Sequence, residues 1–467
     1  MKLIHFASLP CLFITLCTAA AVAAPATQPS AVSPDVLQQL RELRDQVRQL
    51  TANQKMLEEK LARATTQPSQ RVSGPSADEV RGEVMRDADL HSQMFDIGDA
   101  EAGYDPARGF YLASSDGNFL FRPFMLLQVR DVTDFRRDVK TGGDDNTDNG
   151  FEIRRFQWGA EGNLFSPDLT YRFFLQTDRQ TGVASLFDAW AKYRIGGTPW
   201  YVEAGQFKAP LDHEQMVSDR TQLAVDRTLT DDILAKGEAF SDGVMAIYDN
   251  DGPARFKWDF TNGYGVNDLN YQEPPNRPYD FGTGGRLEYK AFGNWRDYDE
   301  FTAKFATQDQ LVFGGGADLS EDNSSNAFRH SIDVQYITAG SWTLYAAYLG
   351  MYTSNNPALG MGKPTHDTYD SSLRAQAAYA FPHTNWEAFG RYDWLYLDGK
   401  EFVAGTHSTV NEVTGGATYY FYGQNAKFTI DLSYLPNGSP VEDNGDGILV
   451  DNGDAQWVFR GQFQLAF

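Results

Sequence analysis

The chain has 467 residues, 42% hydrophobic and 14% aromatic, with a mean hydropathy of -0.46 and a formal charge of -23. No apolar run of about 18 residues follows the N-terminus, which argues against membrane-spanning helices, and the acidic balance argues against nucleic acid as a partner. Both cysteines, Cys11 and Cys17, lie in the leader, so a processed chain has no thiol for a disulfide, a metal or a nucleophile.

Residues 1–23 read as a signal peptide: Lys2, an apolar stretch through Leu12, Phe13, Ile14 and Leu16, then Ala21-Val22-Ala23 as the cleavage site. Ser33 as N-cap and Pro34 at the first helical position open a helix. Leu40, Val47, Gln54 and Leu61 fit heptad position a, and Val36, Leu43, Leu50 and Leu57 fit position d. The spacing predicts a short α-helical coiled coil over residues 33–63, with Gln54 the one polar residue in its seam and a candidate for fixing register. Residues 64–102 lose the period and gain Thr, Gln, Pro, Ser and Gly, which reads as a linker.

From residue 103 to the end the side-chain period is two. In the last stretch Trp457, Phe459, Phe463, Leu465 and Phe467 share one parity, while Gln456, Arg460, Gln462 and Gln464 hold the other. Phe256, Trp258 and Phe260 oppose Arg255, Lys257 and Asp259; Phe428, Ile430 and Leu432 oppose Lys427, Thr429 and Asp431. Between Leu169 and Asp178, Phe174 breaks the alternation, and near Arg154 and Arg155 the strand phase is ambiguous. Charges of both signs on the polar face suit a water-filled lumen and not a packed sandwich core. The pattern predicts an all-β, antiparallel transmembrane β-barrel. Roughly 360 residues at about 22 per strand with its connection give about 16 strands, with eighteen as the alternative.

The segments GFEIRRFQWGAEGNLF (150–165), FDAWAKY (187–193), VEAGQFKAP (202–210), LAVDRTL (223–229), FTNGYG (260–265), RYDW (391–394) and GGATYYFYGQNAKFTIDLSY (415–434), in that order, resemble the phosphate-selective porin O and P family. The resemblance runs from about Gly109 to Phe467 and does not cover the heptads. It implies an outer-membrane porin of a diderm bacterium, usually a homotrimer, passing small solutes, with anions such as phosphate the family's preference. The terminal aromatic Phe467 is similar to the C-terminal signal of bacterial outer-membrane proteins. That similarity implies the barrel-assembly machinery and outer-membrane lipids as partners.

Lys208 and Arg227 sit on the alignable motifs and are the first candidates for the constriction. By parity the further pore-lining candidates are Arg155, Arg172, Lys192, Arg194, Lys257, Arg286, Lys290 and Lys427. Taken singly each reads as a solvated wall residue balanced by neighbouring carboxylates; taken together they form an anion path. The connection Leu211 to Asp242, after the fifth strand, is where porins fold a segment inward, but its Asp212, Glu214, Asp219, Asp226, Asp231, Asp232, Glu238 and Asp242 are no obvious anion cage. His213 reads as a surface-loop histidine because HEQMV lacks the second His of HExxH. The segment from Glu442 to Gly453 departs from a calcium loop at both ends. Gly314-Gly315-Gly316 reads as a close backbone approach or a strand bend. No cofactor, metal or catalytic residue is assigned. The competing readings are a structural anchor tethered through the coiled coil and, behind it, an outer-membrane hydrolase built around His330 or His383.

Overall fold

The computed structural model describes residues 100–105, 109–136, 147–267, 279–322, 325–356, 366–398, 408–439, 445–450 and 453–467. The leader, the heptad segment with Gln54 and the linker as far as residue 99 lie outside the described residues, as do 137–146 and 440–444.

Eighteen strands are described: β1 (Ala100–Asp105), β2 (Gly109–Ser114), β3 (Leu120–Arg136), β4 (Thr147–Asn163), β5 (Leu169–Thr177), β6 (Ala184–Arg194), β7 (Trp200–Lys208), β8 (Phe240–Asp249), β9 (Ala254–Thr261), β10 (Phe281–Phe292), β11 (Gln310–Glu321), β12 (Asn326–Ile337), β13 (Trp342–Asn356), β14 (His366–Ala380), β15 (Trp386–Tyr396), β16 (Thr409–Tyr422), β17 (Ala426–Leu435) and β18 (Gln456–Ala466). From β3 onward each strand pairs antiparallel with the next. β18 returns to β3 in register from Gln456↔Arg136 to Ala466↔Leu126, so sixteen strands close the barrel and no edge remains in its wall. The first two strands stay outside that closure. They form a hairpin that joins β3 only at Leu112↔Phe121 and Ala113↔Leu120.

The alternation selects the faces. In β18, Trp457, Phe459, Phe463 and Leu465 are exposed on the outer surface, while Gln456, Arg460, Gln462 and Gln464 are buried inside. Aromatic pairs Trp342–Tyr379 and Trp386–Tyr419 sit at the end of the barrel where the connections are short, matching the interfacial girdle of membrane barrels. Phe467 ends at the same rim: its N–H donates to the Met125 carbonyl and its own carbonyl accepts from Met125 N–H, both at 3.2 Å.

The lumen is not simply water-filled. Leu211, Leu229 and Leu234, from the connection between β7 and β8, pack with Leu349, Leu395, Val410, Leu435 and Val458 from the inner wall between β13 and β18. A second segment enters from the opposite end, between β10 and β11, and Phe301 from it joins Val217, Leu223 and Tyr345. Two inward segments thus occupy the same side of the barrel.

Glycines make room for this packing. A Cβ on Gly316 would stand 2.1 Å from the Leu211 carbonyl oxygen, and one on Gly314 would stand 2.1 Å from Arg286 Nη2. The triple glycine of β11 is therefore a close approach of loop backbone and guanidinium to the wall. Ser331 Oγ (2.6 Å) and Arg286 Nη1 (3.1 Å) both donate to that same Leu211 carbonyl. Gly316→Val is expected to push the loop off the wall, costing about 2–3 kcal/mol by overpacking. The check is a lower melting temperature together with a raised single-channel conductance in planar bilayers.

Candidate functional site

The connection between β7 and β8, the fifth and sixth strands of the closed barrel, carries two short helices, α1 (His213–Met216) and α2 (Leu229–Leu234). Asp212 caps α1, its Oδ2 accepting from Glu214 N–H at 3.2 Å, and Thr228 caps α2 through Asp231 N–H at 3.3 Å. Between them Asp219 and Asp226 reach the wall. Asp226 accepts from Arg154 Nε (2.8 Å), Arg155 Nη2 (2.8 Å) and Arg130. Asp219 meets Arg155 Nε at 3.0 Å and Gln157 Nε2 at 2.9 Å, and also contacts Arg227. On the opposite wall Arg374 spans Asp212 and Glu214 at 2.8 Å each.

A β-bulge makes this possible. The pairing of β3 with β4 steps from Gln128↔Arg155 to Val129↔Ile153, so Arg154 is an extra residue and two consecutive arginines turn inward. A second bulge steps from Phe174↔Asp188 to Leu175↔Leu186 and leaves Phe187 as the extra residue. Phe174, the exception to the alternation, faces inward with it, and both pack on Phe240 at 5.8 and 5.6 Å between ring centres.

The two constriction candidates hold the loop. Lys208 Nζ lies 2.9 Å from Glu238 and donates to the carbonyls of Gln215 (3.2 Å) and Val217 (3.5 Å). Arg227 is buried, with Asp219, Asp231 and Glu238 around it and the Val217 carbonyl at 2.8 Å. Arg155, Arg286 and Lys427 are buried as well, which corrects the expectation of solvated wall residues. Arg286 is locked to Asp333 (2.7 Å) and Glu288 (2.8 Å), and Lys427 donates to the Gln222 carbonyl at 3.1 Å. The reason is that the inward segments cover these side chains.

The other candidates remain partly open. Arg172 pairs with Asp188 at 3.2 Å, Lys192 lies 3.9 Å from Glu203, and Arg194 donates to the Thr198 carbonyl in the adjoining turn. Lys290 sits over the Trp295 ring at 4.9 Å, and Lys257 faces a cavity. That cavity, about 580 Å³ at the short-turn end, is lined by six basic side chains (Arg122, Arg172, Arg220, Arg255, Lys257, Arg296) and four acidic ones (Glu161, Glu288, Asp299, Glu300). A second, about 280 Å³, is lined by Arg154, Arg155, Arg227 and Lys236 against Asp232 and Glu238. Gln157 lines the first, Gln176 lines the second, and they are hydrogen-bonded at 2.7 Å.

His213 corrects a further expectation. It is 2% exposed, stacks on Tyr298 of the second inward segment at 3.8 Å, and shares a 2.8 Å hydrogen bond with Gln335. Burial pushes its pKa down, so the ring is neutral. His330 contacts Tyr369 OH at 3.3 Å and stacks on Phe328. Neither it nor His383 has a serine or carboxylate partner among the described residues. Of the segment Glu442 to Gly453, residues 445–450 and 453 are described, and Gly445 and Asp446 cover Arg130 and Arg460 through their carbonyls.

The pore-lining candidates left out the partners that matter most here: Arg130, Arg374, Arg391 and Arg460, the last already on the polar parity of its strand, all lie at inward positions and are buried. The signal was present, since each stands in an alternating segment. What was missing was the identity of the carboxylate each would meet.

The family model for phosphate-selective porin O and P matches residues 129–467. The chain belongs to that family. It is therefore an outer-membrane porin of a bacterium, and the sixteen-strand barrel is the channel. The porin is similar in fold to the anion-selective porin from Comamonas acidovorans: TM-score 0.51, 12% identity, covering 74% of this chain and 99% of that one. The channel DcaP of Acinetobacter baumannii gives 0.49, 10%, 76% and 99%, and OmpF of Salmonella typhi 0.47, 14%, 75% and 99%. No curated protein matches the porin's sequence.

Burial alone would raise the Asp226 pKa, but Arg154, Arg155 and Arg130 together hold it well below the usual carboxylate range. For a depressed carboxylate the stabilisation is fully present above its unfolded value of about 4 and is lost only as pH falls through its lower folded value. Asp226→Asn leaves three buried guanidiniums short of a counter-charge, a loss of about 3–5 kcal/mol. The expected result is a loosened loop: noisier, larger single-channel currents at neutral pH, where the parent stays quiet.

Proposed function

We propose that the porin conducts small solutes passively along the wall from β3 to β9 and prefers anions, phosphate among them. The observation that carries this reading is the lining of the two cavities. In each, basic groups exceed acidic groups by two, in a chain whose formal charge is -23. A narrow passage with low-dielectric walls focuses the field of the charges that face it. Charges on outer loops are screened within about 8 Å at physiological salt. The decisive measurement is the reversal potential across a bilayer under a salt gradient. Arg172→Glu with Lys257→Glu is expected to move it toward cation preference, while neutralising Asp144 and Asp145, in the acidic stretch of chain between β3 and β4, leaves it nearly unchanged. A parent that is already cation-selective sinks the reading.

The assembly we propose is a homotrimer embedded in outer-membrane lipid, its three chains joined by the seam of residues 33–63. The heptads support this, and so does the family. Because a polar seam residue lowers stability whatever it adds to register, a peptide of residues 33–64 carrying Gln54→Ile is expected to melt higher than the parent peptide. Monomers in both peptides at high concentration, by sedimentation, refute the seam.

A further inference from the structure

Three carboxylates meet where the two helices of the loop come together: Asp212 at the cap of α1, Glu214 within α1 and Asp231 within α2. One oxygen from each lies within 4.8 Å of the others, and none of the three residues is more than 1% exposed. Asp212 and Glu214 are well supplied with donors. Arg374 gives each an N–H at 2.8 Å, and Thr228 gives Glu214 its N–H at 2.9 Å and its hydroxyl at 3.0 Å.

Asp231 is different. It is fully buried, and neither of its carboxylate oxygens has a hydrogen-bond donor. The guanidinium beside it, Arg227, stands at 3.5 Å and is already engaged by Asp219 and by the carbonyls of Val217 and Glu214. An ionised carboxylate withdrawn from water in this way needs a counter-charge. Arg227 supplies it only in part, because it is shared with Asp219 and Glu238. Asp393 accepts from Thr230 and Glu412 accepts from Arg391 on the same side. Five buried carboxylates there meet two guanidiniums of the wall, Arg374 and Arg391. Arg374 leaves the triad itself with two negative charges, the charge of one divalent ion.

We propose that Asp212, Glu214 and Asp231 bind a calcium ion that pins α2 to α1 and sets the shape of the loop. The donor set is all oxygen, with no histidine or cysteine, which selects a hard cation. Calcium takes oxygens at 2.3–2.6 Å, so carboxylate oxygens up to about 5 Å apart share one ion. Magnesium holds its ligands closer and keeps several waters, which a triad sealed from solvent does not provide. The inference is independent of which solute passes the channel.

The test uses the full chain, purified in detergent and dialysed against metal-free buffer, with and without EGTA. The expected result is a single calcium ion per chain that EGTA removes, with a fall in melting temperature of about 4 °C that added calcium reverses. Asp231→Asn, which puts a neutral amide of the same shape in the triad, is expected to retain no ion and to melt alike in EGTA and calcium. Asp144→Asn with Asp145→Asn keeps the ion. Two results overturn the proposal: a parent that retains no calcium and melts identically in both buffers, or an Asp231→Asn protein that binds calcium as the parent does. Should Asp231→Asn fail to assemble, metal content and calcium-dependent melting of the parent decide the matter alone.

Discussion

The structure depends on the pairing of inward arginines with the carboxylates of one loop. Arg130, Arg154 and Arg155 converge on the same side of the lumen, and in a medium of low dielectric three like charges at that spacing repel strongly. Asp226 is the group that lets them coexist, with Asp219 and Glu152 beside it. Neither partner is stable alone in that place, since a buried ion without its counter-ion is costly. Wall and loop are therefore folded by each other, and the position of the loop is set by strand residues far from it in sequence.

From that anchoring follows the asymmetry of the lumen. The leucines of the loop and Phe301 of the second inward segment cover the wall from β13 to β18, where Leu349, Leu395, Val410, Leu435 and Val458 face inward among buried charged side chains such as Arg374, Arg391 and Arg460. The Gly314–Gly316 run lets the loop backbone lie directly on β11. Space remains on the other wall, where Arg172, Lys192 and Lys257 keep partial contact with solvent. In a barrel of a size that can hold an aqueous channel, the inward segments leave separate cavities, and the residues that line them include only some of those with inward parity.

Much of this was legible in the sequence because the side-chain period of a strand is a local property. The faces of β18, β17 and β9 and a count of about sixteen strands follow from alternation, turn residues and length, whereas the inward connection after the fifth barrel strand follows from the likeness to porins. The failures have a common physical cause. A bulge shifts the phase by one residue, so Arg154 with Arg155, and Phe187 with Asp188, both turn inward where strict alternation allows only one. Burial inside a lumen depends on what folds back into it, so His213 read as exposed although Tyr298 and Gln335 enclose it. The second inward segment carries no periodicity, and its helical turn from Trp295 to Tyr298 is held by contacts with β9, β10 and the first loop that a local reading does not contain. Alternation says which way a side chain points; it does not say what it meets.

The acidic composition of the loop then ceases to contradict a preference for anions. Asp219 and Asp226 are engaged by Arg155, Arg154 and Arg130, and Asp212 and Glu214 share Arg374, so much of the loop's charge is cancelled where it stands. The cavity at the short-turn end is lined by six basic and four acidic side chains. A formal charge of -23 is a sum over the whole chain and says little about the field at one place in the lumen. What a permeating ion experiences is the residue of a local cancellation. The loop's part in that cancellation is to place its carboxylates on the wall arginines it needs in order to fold.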